Sequence, residues 1–172
     1  MRKIWLFIFL MQVLCLSARN NPNSRYVMRP RADDLLYFIL PFDVPCTENG
    51  KAVSLDLTYV TSEAHFQVNM SVWTPVPLSI DSVVFFSETP FKADSLTVYF
   101  LEKDKKQWWS RMGYHIPAEV LEALYAADEP YRIAVYAGNT VLQYRCPSKK
   151  WASERRWMSD LLQLMAYNRK RP

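Results

Sequence analysis

Hydrophobic and polar residues alternate one by one over long stretches of this chain, the period of a strand buried on one face. In residues 52–60, Val53, Leu55, Leu57 and Tyr59 fall on one side and Ser54, Asp56 and Thr58 on the other. Phe66, Val68, Met70 and Val72 repeat the pattern against Gln67, Asn69 and Ser71, so the two stretches predict a hairpin joined by a short polar connection. Residues 35–42 are a nearly unbroken apolar run, short enough for a buried strand, with Pro41 and Pro45 as interruptions. Asn49-Gly50 supplies a tight-turn signal after it. Further strands are predicted over 78–86, 95–101 and 107–116, the last kinking at Gly113. Strands at 131–137 and 140–146 flank Gly138-Asn139, in the order that suits a type II′ turn.

Two stretches change period. Pro117 stands where a helix begins, and Val120, Leu121, Leu124 and Tyr125 share one face of a short helix over 118–127. From 148 to 168, Trp151, Met158, Leu161, Leu162 and Met165 recur at helical spacing after Ser148, a capping residue. The predicted fold is therefore mainly β, a β-sandwich or a curved antiparallel meander, with a short inserted helix and a C-terminal amphipathic helix. It occupies residues 35–172 as one domain.

The first residues read differently. Arg2 and Lys3 precede an apolar run from Ile4 to Leu16, and small residues Ser17 and Ala18 follow, which predicts a signal peptide over residues 1–18 and an exported protein, periplasmic or secreted. The run is short of the ~20 apolar residues that span a bilayer, so no transmembrane span is expected after cleavage. Residues 19–34 carry four arginines without apolar period and read as a flexible leader.

Export changes the meaning of the composition. Without residues 1–18, which hold Arg2 and Lys3 and no acid, the formal charge of +4 falls to +2, and residues 145–172 carry all of that excess. Cys46 and Cys146 remain as an even pair in an oxidising compartment and predict one disulfide. A chain that is 50% hydrophobic and 15% aromatic is not disordered. Its three glycines leave little room for a nucleophile elbow or a phosphate loop, and neither motif occurs. No cofactor or metal is expected, since two cysteines and two distant histidines lack a recognised ligand spacing.

Binding is therefore the predicted mode of action. Trp108 and Trp109 are adjacent on a strand, so their rings face opposite sides and one is directed away from the core. With Arg111 they form one half of a candidate docking surface for a protein or an anionic or glycan surface partner. Trp151, Arg155, Arg156 and Trp157 on the terminal helix form the other half. Tyr99 and Tyr136 extend it from strand faces opposite the core. Nucleic acid is not expected of an exported chain. The enzyme alternative is a hydrolase-like site built on His65 or His115 with an acidic neighbour. Asn69-Met70-Ser71 is a glycosylation sequon if a eukaryote secretes the chain.

Overall fold

The computed structural model describes residues 25–45 and 52–169. Ten strands form two antiparallel sheets, and two helices complete the fold. The larger sheet has the order β1-β2-β3-β4-β8-β7, built from Tyr26–Arg31, Asp34–Pro45, Ala52–Val60, His65–Thr74, Gln107–Pro117 and Asp94–Asp104 respectively. The smaller has the order β10-β9-β5-β6, from Thr140–Arg145, Arg132–Ala137, Ser82–Phe86 and Phe91–Lys92. Helix α1 spans Ala118–Ala126 and α2 spans Ser148–Arg169.

Alternation sets the inner face of the larger sheet. Ile39, Leu57, Val68 and Tyr114 stand opposite one another across four strands, and all four are buried. Leu55, Met70 and Met112 make a second buried row. The smaller sheet lies over these rows, and the Phe85 ring of β5 meets the Tyr114 ring of β8 with centroids 6.0 Å apart. Burial of such side chains contributes about 1.5–3 kcal/mol each, which makes this layer the main source of stability.

The helices close what the smaller sheet leaves open. Pro117 caps α1 with its fixed φ, and Leu121, Leu124 and Tyr125 turn inward. The α2 stripe of Trp151, Met158, Leu161, Leu162 and Met165 is buried, as its spacing predicts. At the far end of α2, Asn168 Nδ2 donates to the Tyr37 hydroxyl and Arg169 Nε donates to the Tyr59 hydroxyl at 2.7 Å. Near its start, Arg25 pairs with Glu154. The helix is thus fastened to the sheet along its length.

The structure corrects several sequence expectations. Residues 26–34 are not a flexible leader: β1 pairs with β2 from Tyr26↔Ile39 to Arg31↔Asp34. The turn between them places Ala32 at φ +50, a left-handed conformation that residues with a Cβ rarely adopt, so it carries no glycine signal. Strand β2 is not interrupted by its prolines. Pro41 sits in a β-bulge between Ile39 and Phe42, where a missing N–H is tolerated, and Pro45 is the last residue of the strand. The strand expected over 78–86 begins only at Ser82. Before it, the Asp81 N–H still donates to the Tyr136 carbonyl at 2.8 Å, while its carboxylate accepts from the Gly138 N–H and so supports the β9–β10 turn. The predicted signal peptide, residues 19–24, the predicted Asn49-Gly50 turn and the Cys46 half of the predicted disulfide lie outside the described residues.

Candidate binding face

The outer face of the larger sheet is built by the polar half of each alternating strand. Register brings Asp56, Asn69 and Gly113 into one row and Ser54, Ser71 and Arg111 into the next. Arg111 reaches across both: NH2 pairs with Asp56 Oδ2 at 2.7 Å and NH1 donates to Ser71 Oγ at 2.9 Å. Asp56 Oδ1 accepts from Asn69 Nδ2 at 2.8 Å. Charge-assisted bonds of this kind are roughly twice as strong as neutral ones, and here they lie flat on the sheet.

Tyr99 completes this network from the edge strand. A β-bulge between Val98 and Phe100 adds one residue to β7, and the extra residue, Tyr99, swings over the outer face. Its hydroxyl accepts from Gln67 Nε2 at 3.3 Å and donates to Asn69 Oδ1 at 3.4 Å. The ring has room because β8 carries glycine beneath it. A Cβ built at 113 meets Tyr99 Cζ at 2.6 Å and Gln67 Nε2 at 2.7 Å, with the hydroxyl nearer still.

An aromatic cluster adjoins the network. Trp73 and Trp109 are paired across β4 and β8 with their rings nearly parallel, 3° apart in plane and 6.1 Å between centroids. Phe100 packs edge-on against Trp109 at 4.6 Å. The Trp109 indole N–H is covered and has no acceptor among the described residues. Tyr99 is 52% exposed and Phe38, further along the same face, is 40% exposed, so no described element roofs this surface.

The residues singled out from the sequence divide accordingly. Trp109 and Arg111 lie on this face, while Trp108 stands on the opposite side of β8, half-buried against Thr74 and Lys103. Trp151 belongs to the core, stacked on Tyr125 with centroids 5.5 Å apart and donating to the Ala127 carbonyl. Arg155 pairs with Asp128, Arg156 is exposed on α2, and Trp157 lies under the Arg25 guanidinium at 5.0 Å. Because α2 binds the inner-face tyrosines Tyr37 and Tyr59, its basic residues and the Trp109 face are not one surface. Tyr136 is on β9 of the smaller sheet, apart from Tyr99. Asp56, Gln67, Trp73 and Phe100 join the face without having been singled out, and Asn69 and Gly113 join it from other roles, a sequon and a kink. Their polar or aromatic character is visible in the sequence, but the register that gathers them is not.

A second concavity lies at the other side of the molecule. A cavity of about 730 Å³ opens between the end of β2 and the start of α2, lined among others by Phe42, Tyr125, Tyr131, Cys146, Trp151 and Trp157. The Tyr125 and Tyr131 hydroxyls bond to each other at 3.0 Å inside its wall. Burial pushes the Tyr131 hydroxyl up to about 12 and the Cys146 thiol above its ordinary value, so neither is activated as a nucleophile.

The two histidines adjoin each other on β4 and β8, and Asp94 of β7 is the register partner of His115. Both histidines are exposed, their rings meet edge-on at 6.5 Å, and neither bonds to a carboxylate among the described residues. No three His, Cys, Asp or Glu side chains gather as metal ligands, and no helix is long and apolar enough to cross a membrane, again among the described residues. At the sequon, the Asn69 amide nitrogen is engaged by Asp56 and Ser71 is buried. Comparison with protein-family models, with curated proteins and with solved structures finds no match to this chain.

Proposed function

We propose that the protein is an exported binding module that docks a partner through the outer face of its larger sheet. The observation that carries this reading is the junction of the Trp73–Trp109 pair with the Asp56–Arg111–Asn69–Tyr99 network on an unroofed face. Amphipathic rings beside fixed donors and acceptors are the make-up of a recognition surface, where orientation is specified by few polar groups and area by aromatic ones. A purely structural outer face needs only solvated side chains and no buried indole.

The test is capture of partners from the envelope or secreted fraction of the producing cell by the mature protein, compared with a Tyr99→Ala/Gln67→Ala variant. Loss of the captured partner at unchanged thermal midpoint supports docking by this face; equal capture rejects it. Removal of α2 does not serve here, since it takes five buried side chains out of the core.

A further inference from the structure

We infer that the ligand of this face is a neutral polysaccharide. The inference rests on the docking reading above and names its ligand class. A pyranose ring offers an apolar C–H face and a rim of hydroxyls that both donate and accept. Its recognition therefore calls for a flat aromatic surface beside bifunctional polar groups held in place. Trp73 and Trp109 supply two nearly parallel rings on neighbouring strands, and Tyr99 supplies a third ring over Gly113.

The polar groups are held before any ligand arrives. Asn69 is fixed at both ends of its amide, by Asp56 and by Tyr99. Gln67 spends its amide nitrogen on Tyr99, which leaves its carbonyl oxygen as an acceptor. Side chains already locked lose little entropy on binding, and that loss is a main reason why polar surfaces bind weakly.

Charge separates the polysaccharide from its competitors. An anionic polymer is held by free lysines and arginines, but the cation at the centre of this face, Arg111, is neutralised by Asp56 at 2.7 Å. A protein partner would bury an apolar centre within a polar rim. Here the Asp56–Arg111–Asn69 centre is polar, with the Tyr99 ring beside it and the Trp73–Trp109 pair toward one end. Trp73 and Asn69 are four residues apart on β4, about 13 Å at ~3.4 Å per residue, so the rings and the network together suit an extended oligosaccharide rather than one sugar.

Native gels cast with a soluble β-glucan, a xylan, a galactomannan or soluble starch test this directly. At least one should retard the wild-type protein and its Lys149→Ala control, which alters only the exposed face of α2. Tyr99→Ala and Trp73→Ala should each weaken the retardation about tenfold, the change set by loss of one stacking ring. Because Trp73 is half-buried, Gln67→Ala provides a variant that leaves the packing intact. If no polysaccharide retards the protein while Tyr99→Ala/Gln67→Ala still loses its envelope partner, the ligand class is overturned and docking by this face stands. If retardation is the same in every variant, both readings fail.

Discussion

The Tyr99 ring rests on Gly113, and each explains the other. Gly113 is in the middle of a strand, where glycine is unfavourable, and the three nearest atoms that a Cβ there would meet belong to Tyr99 and Gln67. The bulge that brings Tyr99 inward and the missing side chain beneath it are one device on two strands. Gly113→Ala should therefore expel the Tyr99 ring and break its bonds to Gln67 and Asn69, at a cost of about 1–3 kcal/mol for the forced rearrangement. In a Tyr99→Ala background the same change should be nearly neutral. Urea denaturation of the two single variants and the double variant measures the coupling; simple additivity would show that the pair is not a unit.

A buried hydroxyl gives the second prediction. Tyr114 is fully buried between the sheets, and its hydroxyl has no partner among the described residues. An unsatisfied buried polar group costs about 1–3 kcal/mol, so Tyr114→Phe should leave the fold intact and raise the denaturation midpoint. A fall of similar size would reveal an acceptor for this hydroxyl.

Three buried tyrosines set an alkaline limit. Burial raises the hydroxyls of Tyr114 and Tyr125 well above 10.0 and that of Tyr131 to about 12. Above pH 10 the unfolded chain releases these protons while the folded chain keeps them. The native state then binds more protons, and stability falls as pH rises, by about 1.4 kcal/mol per unit for each tyrosine. The Tyr131 share is lost between pH 10 and about 12 and changes no further beyond. Unfolding free energies from urea denaturation at neutral pH and at about pH 11 should differ by several kcal/mol. Equal free energies would show that these hydroxyls ionise in place.

The sequence predicts a Cys46–Cys146 bridge, which thiol chemistry can test. Pro45, one residue before Cys46, lines the same cavity as Cys146. In the chain-entropy model, a bridge that closes a loop of about 100 residues stabilises by up to ~4.7 kcal/mol. Thiol titration of the denatured, exported protein should find neither cysteine free, and a reductant should lower the urea midpoint. Two titratable thiols would reject the bridge.

Where period alone decides structure, the sequence was sufficient. The alternation in 52–60 and 66–72, and the helical stripe from Trp151 to Met165, fall within β3, β4 and α2, with β4 running slightly longer at both ends. What stayed hidden depends on backbone geometry without a residue signature. Ala32, Ser95 and Lys105 all adopt positive φ without being glycine, so the first hairpin and the β7 bulges leave no mark in a chain with so few glycines. The binding face was half legible for the same reason. Trp109 and Arg111 stand out by their chemistry, whereas Trp73 and Tyr99 become their neighbours only through register and a bulge. Trp151 was visible both as part of the stripe and as an exposed ring, and only the packing on Tyr125 decides between these.

The fastening of α2 has a kinetic meaning. Arg25 meets Glu154 across 129 residues of sequence, and Tyr37 meets Asn168 across 131, so the inner face is sealed only when the last helix returns to strands made at the beginning. Contacts of such separation must wait for a large loop to close, and chains that rely on them fold in milliseconds to seconds rather than microseconds. During synthesis, everything before α2 is complete while the sheet still lacks its cover.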